Sequence, residues 1–201
     1  PDSEEYAQSF WDYFLFDYHL LGNDKRPIQQ FYDDMCANNY TIEGEAYEDI
    51  LLELMKTRLV AFTVEGSNAD NTYNCRDILT KEIYALVLPI DENADLDDMV
   101  FMGHIYYNDT MVVNFIRGFK IGNAALKRMV EVMQKAKKWF AIRYNGKMSW
   151  EAFTERNAMF LRHCCVIFSS FLRLDCFNYE THLAEYFKQE IIDDNVNKLI
   201  K

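Results

Sequence analysis

The stretches 59-LVAFTVEGSNADNTYNCRDILTKEIYALVL-88 and 99-MVFMGHIYYNDTMVVNFIRGF-119 decide the fold. Both are rich in β-branched and aromatic residues and alternate with a period of two, the pattern of half-buried strands. They predict five strands, Leu59 to Val64, Asn74 to Leu79, Glu82 to Leu88, Met99 to Tyr107 and Thr110 to Phe119, following one another as an antiparallel meander. Thr80-Lys81 and Asn108-Asp109 are placed as tight hairpin turns, because Asn and Asp tolerate the left-handed backbone such turns require. Five short strands left flat would expose two edges. The expected solution is a small barrel, OB-like or SH3-like.

Helical periodicity flanks this region on both sides. Ala7, Phe10, Trp11, Phe14, Leu15 and Tyr18 fall on one face of a helix over residues 4–21. Gly22 and Asn23 stop it, and Pro27 starts a second helix running to about Cys36. A third, from about Glu43 to Arg58, aligns Tyr47, Ile50, Leu51, Leu54 and Met55. After Gly122, Leu126, Met129, Val130, Met133 and Phe140 line one side of a helix, while Lys127, Glu131, Lys135 and Lys138 run down the other. Ser149 is placed to cap a long helix from Trp150 to about Leu172, and a further helix or two begin at Tyr179 with Leu183, Tyr186, Phe187 and Ile191 apolar. The expected class is α+β in three segments packed as one unit: 1–58 helical, 59–121 β, 122–201 helical.

The chain has 201 residues, half of them apolar, with 7 Gly and 3 Pro. That composition supports a packed core and excludes disordered and collagen-like classes. The five cysteines, Cys36, Cys75, Cys164, Cys165 and Cys176, form no C-x-x-C pair, and no secretion signal opens the chain. Reduced thiols and a cytoplasmic location are the expectation. The most apolar stretch, Met159 to Phe171, is interrupted by Arg162 and His163 and is too short to cross a bilayer, so no membrane partner is expected. The chain opens on Pro1 rather than Met, as a processed form or a piece of a longer protein would.

Two stretches resemble a family of uncharacterised bacterial proteins that often end in a SEC-C zinc motif. The first is Phe10-Trp11-Asp12-Tyr13-Phe14-Leu15-Phe16-Asp17-Tyr18-His19-Leu20, followed by Arg26-Pro27 and Phe31; the second is Arg76-Asp77-Ile78-Leu79-Thr80-Lys81-Glu82. The likeness spans about residues 10–120. It departs at Tyr13, where the family has Trp, at His19 for Arg, Arg26 for Thr and Lys81 for a turn Gly, and the Cys-rich SEC-C tail is missing. The resemblance implies a fold and no known reaction.

Candidate chemistry is sparse. Cys164, Cys165, His163, Cys176 and His182 gather soft ligands, but neighbours on one helix diverge by about 100°, so they do not converge on one ion. Cys164 and Cys165 read as small core residues. The acidic loop Asp91, Glu92, Asp95, Asp97, Asp98 lacks the Gly and Glu of an EF-hand and reads as solvated. Asp12 and Asp17 lie about 140° apart around a continuous helix and make no local carboxylate pair, so bonding to a buried Tyr or Arg, or capping a helix, is their expected role. No nucleophile elbow, P-loop, dinucleotide fingerprint or H-E-x-x-H occurs. His19, His104, His163 and His182 are scattered, and an unrecognised enzyme stays among the alternatives. No metal, cofactor or catalytic residue is assigned.

The charge layout carries the functional expectation. Net charge is −11, yet residues 117–147 hold nine bases and one acid, a net +8 against −19 on the other 170 residues. Arg117, Lys120, Lys127, Arg128, Lys135, Lys138 and Arg143 are expected to form a basic binding face, with Lys137 and Lys147 nearby. The leading expectation is a non-enzymatic interaction module whose basic face contacts an acidic protein surface or another domain of a longer chain. The alternative is a nucleic-acid-binding protein whose barrel supplies Tyr106 and Phe119 for stacking beside the basic helix.

Overall fold

The computed structural model of the chain describes residues 3–38, 41, 48–91, 94–108, 110–142 and 146–169. Three helices come first, α1 Ser3–Phe16, α2 Pro27–Asn38 and α3 Glu48–Met55. Five strands follow, β1 Arg58–Ser67, β2 Tyr73–Asp77, β3 Ile83–Val87, β4 Met99–Asn108 and β5 Thr110–Lys120. Then come α4 Asn123–Ile142, α5 Trp150–Arg156 and α6 Ala158–Ser169. The α+β class holds, and each expected strand is present to within a few residues. The expected helix from Tyr179 lies outside the described residues.

Strand β1 pairs antiparallel with β2 on one edge and β4 on the other, β2 with β3, and β4 with β5. Strands β3 and β5 meet in parallel over two residue pairs, Leu86 with Met111 and Val87 with Val112. The neighbour order β1-β2-β3-β5-β4 therefore runs back to β1 through that short parallel seam. The expected meander is corrected here. Strands β3 and β4 are not neighbours, because the chain between them crosses to the free edge of β1, and one seam is parallel.

Alternation along β1 builds two cores at once. Leu59 and Ala61 face the C-terminal helices, where they join Val100, Met102, Phe119, Met129, Met133, Phe153 and Leu161. Val60 and Phe62 face the other way, against Cys75, Leu86, Phe101 and Ile105. A third, small cluster of Phe16, Ile28, Met35 and Leu51 holds the N-terminal helices together. Burial of both faces explains why β1 and the first half of β4 read as almost continuous apolar runs.

Two helices end earlier than periodicity predicts. Helix α1 stops at Phe16, where the Tyr18 amide bonds the Tyr13 carbonyl five residues back and widens the last turn. The long helix expected from Trp150 is broken at buried Asn157, whose amide and side-chain nitrogen both bond the Phe153 carbonyl. Ser149 caps α5 as expected, its Oγ accepting from the Ala152 amide at 3.1 Å. The expected two-residue turn at Thr80-Lys81 is a wider loop from Ile78 to Glu82. Asp77 organises it by accepting from the Leu79 and Thr80 amides, and Lys81 takes the left-handed conformation at φ 69°. Among the described residues no helix is long and apolar enough to cross a membrane.

Candidate functional site

Among the described residues, the densest polar chemistry is buried between α1, β4 and α6. His104 is fully buried; its Nδ1 lies 2.7 Å from Asp12 Oδ1 and its Nε2 2.8 Å from Asp17 Oδ1. Arg162 Nη2 donates to Asp12 Oδ2 at 2.6 Å and to Asp17 Oδ2 at 2.7 Å, and Nε adds a bond to Asp17 at 3.2 Å. Each ring nitrogen faces a carboxylate oxygen, so the ring satisfies both only as imidazolium, with both N–H groups donating. Two carboxylates, an imidazolium and a guanidinium sum to zero charge, the condition under which ions tolerate burial.

Electrostatics and geometry agree. Burial alone would lower the His104 pKa, but its hydrogen bonds and charge attraction to Asp12 and Asp17 hold it above its ordinary value. Burial alone would raise that of Asp17, but the bonds and charges of His104 and Arg162 hold it below the usual carboxylate range. Tyr13 is pushed up, first by burial and then by the Asp17 charge.

Asp12, Asp17 and His104 also bring metal-type donor atoms within 4.8 Å of one another. Every one of those atoms is already engaged by a hydrogen bond within the quartet. A divalent ion would have to displace the imidazolium proton and sit beside the Arg162 guanidinium, replacing a balanced cluster by one with excess positive charge. The donor set fits an ion-pair cluster and not a metal centre.

The neighbouring Arg26 is buried too, and carbonyls rather than a carboxylate receive it. Its guanidinium donates to Phe16 O at 3.3 Å, Thr57 O at 3.2 Å and Met55 O at 2.5 Å. Phe16 and Met55 are the last residues of α1 and α3, so one cation caps the negative ends of two helices and binds them to the start of β1.

Of the two motif stretches singled out in the sequence, the first supplies Asp12 and Asp17 of the quartet and the second the turn organiser Asp77, while the double cap Arg26 stands at a position where the chain departs from the family pattern. The helical-wheel reading of Asp12 and Asp17 is corrected, because α1 ends at Phe16 and its widened last turn swings Asp17 round to the same partners. The expectation of a buried Arg partner for them is met by Arg162. His104 and Arg162, 87 and 145 residues from Asp17, carry no local signature. The one hint was an Arg in the otherwise apolar run 159–171.

Of the soft-ligand group, Cys164 and Cys165 are buried in the core against the sheet, His163 is exposed, and Cys176 and His182 lie outside the described residues.

The basic segment forms a surface. On α4, Met129, Val132, Met133, Ala136 and Phe140 are buried. Exposed Lys127, Arg128, Lys135 and Lys138 fall within an arc of about 100° on the opposite side at 100° per residue. Exposed Ile142, 75% accessible, falls inside that arc together with the single acid Glu131, and Trp139, 60% accessible, borders it. Among the described residues Lys127, Lys135 and Lys138 have no acidic partner within ion-pair distance. Arg117 and Lys120 are exposed near the end of β5, next to the start of α4, with the Arg117 guanidinium over the Phe119 ring and Lys120 3.9 Å from Asp95. Lys137 is half-buried with its Nζ 4.8 Å above the Trp150 ring, and Arg143 lies outside the described residues.

Phe119 is not a stacking platform. It is 6% exposed and packs in the core, because its position on β5 faces the C-terminal helices. The Tyr106 side chain lies outside what the structure describes. No family model, curated protein or solved structure matches the chain.

Proposed function

We propose that this protein is a non-enzymatic interaction module that presents the basic face of α4 to an acidic protein surface, on a separate partner or on another domain of a longer chain. The observation that carries this reading is the arc of Lys127, Arg128, Lys135 and Lys138, four bases around the one acid Glu131, with exposed Ile142 inside it and exposed Trp139 at its border. Cations flanking an exposed aromatic and an aliphatic side chain combine long-range steering with apolar contact area, the pairing that protein interfaces use. The charge balance of the rest of the chain, −19, opposes a nucleic-acid polyanion over most other surfaces. With Phe119 buried, the nucleic-acid alternative also lacks that stacking ring.

The enzyme alternative has little to build on among the described residues. The polar atoms of His104, Asp12 and Asp17 are buried and engaged with one another and with Arg162, and in the shallow notch lined by Arg58, Asp77, Thr80 and Glu151 the Arg58 cation is committed to Glu82 and Glu151. We read the curled sheet as a small barrel of the OB-like or SH3-like kind, supported by its own inner apolar cluster. We place the protein in the cytoplasm, supported by the buried free thiols Cys75, Cys164 and Cys165. The likeness to the SEC-C-associated bacterial family is proposed on the motif residues alone.

The test is fluorescence anisotropy with a labelled polyglutamate peptide and a labelled oligo-dT strand, each titrated with wild type and with Lys135→Glu/Lys138→Glu. The proposal expects the peptide to bind the wild type and to be lost by the double variant without a change in melting temperature. Preferential, salt-sensitive binding of the oligonucleotide would overturn it in favour of the nucleic-acid alternative. Peptide binding indifferent to the reversal would overturn the assignment to α4.

A further inference from the structure

The N-terminal helices have their own small core, separate from the two that include the sheet. What ties α1 to β4 and α6 is a buried charge cluster: Asp12 from α1 and Asp17 just beyond its end, His104 from β4 and Arg162 from α6. A contact of this kind differs from an apolar one because a single proton decides its sign. With His104 protonated the cluster is neutral and each of its ring contacts is a charge-assisted hydrogen bond. Without that proton the cluster carries −1 at a site where His104, Asp12 and Asp17 are buried, and one ring nitrogen turns a lone pair toward a carboxylate oxygen less than 3 Å away.

We propose that the quartet is a proton-dependent clasp, which holds α1 on β4 and α6 while His104 is protonated and releases α1, with the sheet still folded, when the proton leaves. The charged and titratable groups around the ring are Asp12 and Tyr13 of α1, Asp17 just past its end, Arg162 of α6, and Arg26. Arg26 reaches the carbonyl of Phe16, whose ring lies 5.1 Å from the imidazole. On β1 the residue paired with His104 is the apolar Leu59. Asp12, Asp17 and Arg162 therefore set the pH of release, and because the two carboxylates outweigh burial, that pH lies above the ordinary histidine range. Release would uncover the α1-facing side of His104 and free the exposed rings of Phe10 and Trp11 to move with α1.

The test is amide hydrogen exchange on the full chain from pH 6 to pH 10, normalised to intrinsic rates, comparing amides of α1 at residues 10–17 with those of β1 at residues 59–64. The clasp expects α1 to lose most of its protection at a pH where β1 remains strongly protected. Asp12→Asn removes a negative charge facing the imidazolium and should move the α1 midpoint down by about one pH unit or more. Arg162→Gln removes a competing positive charge and should move it up. Opposite shifts from two substitutions in the same cluster are a signature that loss of packing does not produce. Should either variant fail to fold, the wild type still decides through the 15N shifts of the His104 ring, which must report loss of the imidazolium proton at the pH of α1 release. Loss of protection in α1 and β1 together, α1 release without ring titration, or midpoints that both variants leave in place would each overturn the clasp.

Discussion

Arg26→Met is the most informative single perturbation of the packing. The Arg26 guanidinium makes three hydrogen bonds, to Phe16 O, Thr57 O and Met55 O, and every one comes from a cation. Hydrogen bonds to charged groups contribute about 1.5–3 kcal/mol each, and an acceptor left buried without a partner costs about 1–3 kcal/mol. Three such bonds do not add to their full sum here. Arg26 Nε has no partner in its buried position, and removing the cation also removes the cost of burying it. Methionine fills most of the volume, so a cavity contributes little. The net loss expected is about 3–5 kcal/mol, the range found when one member of a buried polar pair is deleted. A domain stable by about 5–15 kcal/mol would survive it with a much lower urea midpoint. Arg26→Lys keeps the charge but cannot fork to three carbonyls, and it should recover only about a third of the loss. The assay is equilibrium urea unfolding followed by circular dichroism, with equal slopes required before midpoints are compared. A methionine variant within about 1 kcal/mol of wild type would refute the claim that this cation joins α1, α3 and β1.

Lys81→Gly should stabilise the protein by about 0.5 kcal/mol or more, because Lys81 sits at φ 69° where a side chain is strained; a thermal melt reads it, and a drop in melting temperature would mean that the Lys81 Nζ bond to Ile78 O outweighs the strain. Phe153→Ala should cost about 3–5 kcal/mol in urea unfolding, since that ring is fully buried and packs edge-on against Phe140 and Trp150. In a Cys176→Ser background iodoacetamide should modify exposed Cys36 first, while Cys75 and Cys165, whose thiols burial pushes up to about 12, stay unmodified until unfolding; mass spectrometry of the alkylated chain checks the order. The urea midpoint should pass through a maximum near pH 5–6. Asp17, held low when folded, contributes stability present above its unfolded value and lost as acid is added, while His104, held high, contributes stability complete below about 6.5 and lost as pH rises. A midpoint that keeps rising to pH 9 would contradict the charge assignment of the quartet.

Strand periodicity was legible because it is local: Leu59 to Val64 alternates between two cores, and the alternation stands in the letters. The strand order was not, since what brings β4 to β1 and β3 to β5 is pairing between residues far apart in sequence, with no trace in either strand alone. Helix ends failed where a side chain or a widened turn overrode periodicity, at Asn157 and at Phe16. The same cause hid the quartet. Asp12 and Asp17 look divergent on an ideal helix, and they converge only because α1 ends between them and because His104 and Arg162 arrive from other elements. That Lys127, Lys135 and Lys138 share the exposed side of one helix was, by contrast, readable from their spacing. Phe119 was misjudged because an aromatic on a strand gives no sign of which face is covered.

The most direct test of the functional claim is an 1H–15N correlation spectrum recorded while polyglutamate is added at physiological salt. The chain has three tryptophans, and their indole signals report three different places: Trp139 beside the basic arc, Trp150 beneath Lys137, and Trp11 on α1. The account predicts saturable shifts in the α4 amides and the Trp139 indole, with the Trp11 indole unmoved. Shifts centred on Trp11, or a spectrum unchanged at saturating peptide, would contradict the assignment of α4 as the binding face.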